Sequence, residues 1–140
     1  NEKFTAHGRV AISIIGDGLI LYRAKGPFNQ ELILALAEVE KDAFEYFESR
    51  FSQWCEIVVF EGSCLATAEA LDSLKTYIKD TASSGLAQTG SAFVFQEGVE
   101  GRALMDEPYR ACYQETRIRY ESFATEAEAI SWAKALLSIA

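Results

Sequence analysis

Apolar residues along the chain follow two rhythms, short β-branched runs and longer stretches with helical spacing. Val10-Ala11-Ile12-Ser13-Ile14-Ile15 and Leu19-Ile20-Leu21-Tyr22-Arg23-Ala24 read as strands. Gly16-Asp17-Gly18 supplies the positive-φ positions of a tight turn between them, so the chain is expected to open with a hairpin. Gly26-Pro27 ends the second strand, because proline cannot continue a ladder and keeps its predecessor out of the helical region. Asn29 is then the N-cap of a helix reaching about Arg50, with Glu31 near its positive end. Ile33, Leu36, Ala37, Ala43, Phe44, Phe47 and Phe51 form one apolar stripe, and Glu38, Lys41, Asp42, Glu45 and Glu48 lie largely opposite. Leu32, Val39 and Tyr46 widen the stripe, which fits either a deeply packed helix or a partly exposed strip for dimerisation or partner binding. Trp54 follows, placed to cap the core edge or to anchor a contact.

Ile57-Val58-Val59-Phe60 is a continuous apolar run, as expected for a strand buried on both faces. A short loop follows, then Thr67 as an N-cap and Leu71, Leu74 and Ile78 at helical spacing. Ser91-Ala92-Phe93-Val94-Phe95 predicts a fourth strand, and Pro108 suits the first turn of a third helix with Asp106 and Glu107 near its start. Arg117-Ile118-Arg119-Tyr120 predicts a fifth strand. Thr125-Glu126-Ala127-Glu128 is a capping box opening a last helix whose buried face is Ala129, Ile130, Ala133, Leu136 and Leu137. The order is β-β-α-β-α-β-α-β-α. That order predicts a single α/β domain over residues 9–140, with a mixed, mostly parallel five-stranded sheet and helices packed on it, after a flexible tail of residues 1–8.

Composition narrows the function classes. With 140 residues, the chain is long enough for one sizeable core. Thirteen Lys and Arg against twenty-one Asp and Glu give a net charge of −8, which repels nucleic-acid backbones unless a basic stripe stands out, and none does. Arg117 and Arg119, alternating on one expected strand, could share a face and hold a phosphate or carboxylate, although solvated arginines are the ordinary case. No apolar run approaches the roughly 18 residues of a membrane span, so no membrane insertion is expected. Cys55, Cys64 and Cys112 are an odd, widely spaced set that makes neither a disulfide framework nor a zinc pattern and suits a reducing cytoplasm. His7 is the one histidine, in the expected tail, so no metal site or cofactor is expected. The loop after Phe60 lacks the glycines and lysine of a phosphate-binding loop, and Gly-x-Ser-x-Gly is absent.

The chain resembles the STAS domain superfamily, in particular its SpoIIAA-like branch. The resemblance rests on the opening hairpin, on Gly26-Pro27-Phe28-Asn29 before a long helix, and on the strand-loop-helix around Phe60. It also rests on the closing Arg119-Tyr120-Glu121-Ser122-Phe123-Ala124-Thr125-Glu126-Ala127-Glu128-Ala129-Ile130-Ser131-Trp132. It implies a non-catalytic α/β module that works by contact. Bacterial anti-sigma-factor antagonists of this kind carry an Asp-Ser pair at the start of the second helix, whose serine is phosphorylated. Thr67-Ala68 stands at that place here, so the acceptor serine is missing. Ser63 and Thr67 lie close enough for a displaced switch, and a phosphate on Thr67 would sit favourably at a helix N-terminus, although Thr67 already serves as the N-cap.

Three readings follow. The first is a cytoplasmic regulatory protein-interaction module that self-associates or binds a protein partner through Gly62, Ser63, Cys64 and Thr67. The second is a small-molecule or lipid-binding module with an apolar cavity between sheet and helices, suggested by the aromatics of the first helix with Tyr109, Tyr113 and Trp132. The third is an enzyme using the Cys64 thiol, with its pKa lowered by the following helix N-terminus.

Overall fold

A computed structural model of the chain describes residues 7–16 and 18–138. Nine elements occur in the expected order. They are β1 (Arg9–Gly16), β2 (Leu19–Lys25), α1 (Gln30–Arg50), β3 (Cys55–Glu61), α2 (Ala68–Ser83), β4 (Gly90–Val94), α3 (Arg102–Ala111), β5 (Arg119–Phe123) and α4 (Glu126–Ser138). The five strands form one sheet in the spatial order β1-β2-β3-β4-β5. β1 and β2 pair antiparallel, and every later neighbour is parallel. Asp17, in the expected turn, and residues 1–6 of the expected tail lie outside the described residues. His7 and Gly8 are fixed near the start of α1. The His7 amide donates to Asn29 Oδ1 at 2.9 Å, and a Cβ on Gly8 would meet the Phe28 ring at 2.7 Å.

Strand alternation divides the core between the two faces of the sheet. Leu19, Leu21, Cys55, Ile57, Val59, Ala92 and Val94 point to one face, where they meet Ala129 and Ala133 of α4. Small residues let α4 approach closely: a Cβ on Gly90 would stand 2.7 Å from Leu136 and 2.9 Å from Trp132. Ile20, Tyr22, Phe60 and Phe93 point to the other face, under α1, α2 and α3. There Trp54 is fully buried, stacked on Phe47 with ring centroids 5.3 Å apart and edge-on to Phe44 at 4.8 Å. It closes the core rather than anchoring an external contact.

The helix starts follow their caps. Asn29 Oδ1 accepts from Leu32 N at 3.1 Å, and Thr67 Oγ1 accepts from Ala70 N at 3.0 Å. Half of the expected capping box forms at α4: Glu128 N donates to Thr125 Oγ1 at 3.3 Å, while the Thr125 hydroxyl itself donates to the Glu128 carboxylate at 2.9 Å. Two expectations need correction. Pro108 is not in a first turn but well inside α3, which begins after Gly101, a glycine at φ +85°. Met105 and Tyr109 decide this. They are spaced to bury together, and extending the helix back to Arg102 gains that burial at the cost of the amide that proline lacks. The fifth strand starts at Arg119, not Arg117, because Arg119 pairs with Gly90 and the ladder runs on to Phe123. Arg117 therefore precedes the strand, and the two arginines do not alternate on it.

Candidate functional site

The expected site, the corner after β3, is tied to its neighbours on both sides. Gly26 N donates to Ser63 O at 2.8 Å, Phe28 N to Leu65 O at 2.8 Å, and Cys64 N to Glu100 O at 2.9 Å. These bonds continue the sheet beyond its strands. Gly26 has to be glycine here, since a Cβ would stand 2.6 Å from Ser63 O. Ser63 and Cys64 are buried, whereas Gly62, at φ +70°, and Thr67 are exposed. The Cys64 thiol donates to Glu100 O at 3.3 Å, and burial pushes its pKa up to about 11. That is the opposite direction from helix-terminus activation, so Cys64 is not a thiolate at neutral pH. Cys55 and Cys112 are buried and unpaired as well, with their pKa values also pushed up to about 11 by burial.

The most distinctive arrangement lies between the sheet and the helices. A cavity of about 90 Å³ lies between the sheet and helices α1 to α3. Its walls are mostly apolar and aromatic, with Phe28, Phe44, Phe60 and Phe93 among them. Two carboxyl groups, Glu40 and Glu56, line the same cavity, and among the described residues no Lys, Arg or His does. Both are buried, 3 % and 6 % exposed, where a glutamate without partners would not be tolerated.

Sequence places both acids there. In α1, Glu40 stands four residues after Leu36 and four before Phe44, within the buried stripe of Ile33, Phe44 and Phe47. In β3, Glu56 alternates with Val58 and Phe60 on the face beneath α1 and α2, and the register sets it between Ile20 of β2 and Ser91 of β4. Ser91 Oγ therefore reaches Glu56 Oε1 at 2.6 Å. Gln88 Nε2 donates to the same oxygen at 2.8 Å and Tyr113 Oη at 3.0 Å. The Tyr22 hydroxyl donates to Glu40 Oε2.

Burial, and then the charge of Glu56 close by, raises the Glu40 pKa to about 8 against the hydrogen bonds of Tyr22 and Tyr77. Burial likewise raises Glu56, against the donors of Ser91, Tyr113, Gln88 and Tyr22. The tyrosines around the pair respond in the same sense: desolvation holds Tyr22 and Tyr113 well above the ordinary phenol range, so both remain donors. Glu40 was not singled out by periodicity, because surface acids surround it in α1. The available signal was its position, an acid in step with the apolar stripe rather than with Glu38, Lys41 and Asp42. Glu56 gave a weaker signal, an acid heading a buried run.

A structure search places the fold. The chain matches the crystal structure of an uncharacterised protein of the DUF3478 family, with a SpoIIAA-like fold, from Shewanella loihica PV-4. The match has a TM-score of 0.60 at 12% identity and covers 95% of this chain and 98% of that one. The chain thus has the SpoIIAA-like α/β fold. No family model matches the sequence, and a search of curated proteins finds no match. Among the described residues, no helix is long and apolar enough to cross a membrane.

The buried acids make stability depend on pH. The folded protein keeps Glu40 protonated to higher pH than the unfolded chain does, so between the unfolded value and about pH 8 the native state binds more protons. Its contribution is fully present below the unfolded pKa and is lost as pH rises through about 8, at up to about 1.4 kcal/mol per pH unit for each such group. Glu56 acts in the same direction. Urea unfolding between pH 5 and pH 8 is expected to show stability falling with pH, and Glu40→Gln is expected to flatten the slope. Stability that holds level or rises over this range would contradict the assignment.

Proposed function

We propose that the protein is a non-catalytic SpoIIAA-like module whose central property is to hold a small molecule in the cavity between its sheet and helices. One observation carries this reading: an apolar, aromatic-walled space contains two carboxyl groups that no cation among the described residues neutralises. A core built only for stability gains by filling such a space with methyl and methylene groups, and buried polar pairs are frequently replaceable by apolar residues without loss. A cavity wall that retains paired acids is better suited to recognising something. The volume fits a compact ligand, being smaller than the roughly 150 Å³ apolar cavity known to admit benzene. The raised pKa of the buried Cys64 thiol favours binding over thiolate chemistry. Three buried, unpaired thiols favour a reducing compartment such as the cytoplasm.

A second reading, self-association, draws support from β1. Among the described residues β1 pairs only with β2, which leaves the backbone groups of its other edge without a strand partner. No charged residue stands between Val10 and Gly16, while Ile14 and Ile15 are 57% and 39% exposed. Edge strands in monomers are usually protected by charge, proline or a bulge; β1 has one irregularity of register, between Ile14 and Gly16, and neither charge nor proline from Val10 to that point. A second copy meeting β1 edge to edge across a two-fold axis would satisfy those groups. Partner binding at the exposed Gly62 and Thr67 belongs with the same contact-based role.

Small neutral probes test the cavity reading. Butan-1-ol at millimolar concentration is expected to raise the thermal midpoint in a saturable way, and Leu74→Phe, which places a ring in the lined space, is expected to abolish the increment. A midpoint that only falls with the alcohol in both proteins would count against a binding cavity. Light scattering tests the second reading. The expected mass is that of a dimer, converted to monomer by Ile14→Lys, and a monomer at every concentration would remove it.

A further inference from the structure

We infer that the cavity selects a small primary amine in its cationic form, with the ammonium group at Glu40 and Glu56 and a short apolar chain against the aromatic wall. This inference rests on the cavity reading above and specifies the ligand's chemistry. The polar lining is one-sided. Glu40 approaches from α1 and Glu56 from β3, while Tyr22, Tyr77, Thr81, Gln88, Tyr109 and Tyr113 are neutral. Among the described residues no lining side chain is cationic, so a carboxylate or phosphate ligand would enter beside two acids with no described cation to balance its charge.

An ammonium group reverses that balance. The two carboxyls repel each other's ionised form, and burial raises both, so the site is short of positive charge rather than of acceptors. A cation between them would form charge-assisted hydrogen bonds in a largely apolar space, where such bonds are stronger than in water. If the pair is protonated beforehand, the ammonium enters and a proton leaves to solvent, so charge balances without any further group. Phe60, Phe93 and Tyr109, packed against one another, line the same cavity and offer the chain an apolar wall. The cavity volume limits the chain to a few carbons.

The test compares three probes of similar size at pH 7 by titration calorimetry: n-butylammonium, butan-1-ol and n-butyrate. The expected order is butylammonium at least tenfold tighter than butanol, with butyrate showing no binding over the same range. In Glu40→Gln, with its fold checked by circular dichroism, the preference for butylammonium over butanol is expected to fall at least tenfold. The wild-type order stands as a test even if that variant fails to fold. Butyrate binding as tightly as butylammonium, or butanol doing so, would overturn the inference and leave the cavity reading standing. No binding by any of the three would overturn both.

Discussion

Placing two carboxyl groups inside an apolar layer is the constraint around which this structure is arranged. An isolated buried carboxylate is too costly to keep, so Glu40 and Glu56 must gain donors, lose their charge, or both. The surrounding elements provide for each. β4 sets Ser91 beside Glu56, the segment before it brings Gln88, and the stretch after α3 brings Tyr113. β2 supplies Tyr22 to Glu40. Four parts of the chain therefore converge on two side chains from α1 and β3. The same convergence leaves the cavity open, because polar atoms held at fixed hydrogen-bonding positions cannot collapse to fill space as methyl groups can.

The corner after β3 has a different purpose from the one its topological position suggests. Open α/β sheets carry sites outside the carboxyl ends of their strands, and residues 62–67 lie there. In this protein the corner is held by the strand extensions around Gly26 and Phe28 on one side and Glu100 on the other. Tyr109 Oη donates to Cys64 O at 2.9 Å, which couples the corner to α3 and so to one wall of the cavity. Ser63 and Cys64 help build the cavity's surroundings, while Gly62 and Thr67 remain at the surface.

Much of the fold was legible in the sequence, because it depends on local rules. Asn29 and Thr67 cap as their side chains dictate, the apolar run Ile57–Phe60 lies in the buried strand β3, and alternation along β2 sorts Leu19 and Leu21 from Ile20 and Tyr22. Errors arose where tertiary packing outweighs local preference. Pro108 reads as a helix start, yet burial of Met105 and Tyr109 draws the helix back past it. Arg117 reads as strand by alternation, yet the register with β4 begins at Arg119. The candidate site was half legible. An aromatic surplus suggested a cavity between sheet and helices, but the acids within it are long-range partners. Glu40 and Glu56 meet only because α1 lies over β3, and no local pattern reports that juxtaposition.

The central claim is that these two acids share one buried, largely apolar cavity and do not both carry charge at neutral pH. The most direct measurement is the side-chain carboxyl carbon shift of each glutamate by nuclear magnetic resonance, followed from pH 4 to pH 9. The account predicts that Glu40 titrates far above the ordinary glutamate midpoint of about 4.3 and that Glu56→Gln moves that midpoint downward. Both carboxyls titrating near the ordinary midpoint, each indifferent to loss of the other, would contradict it.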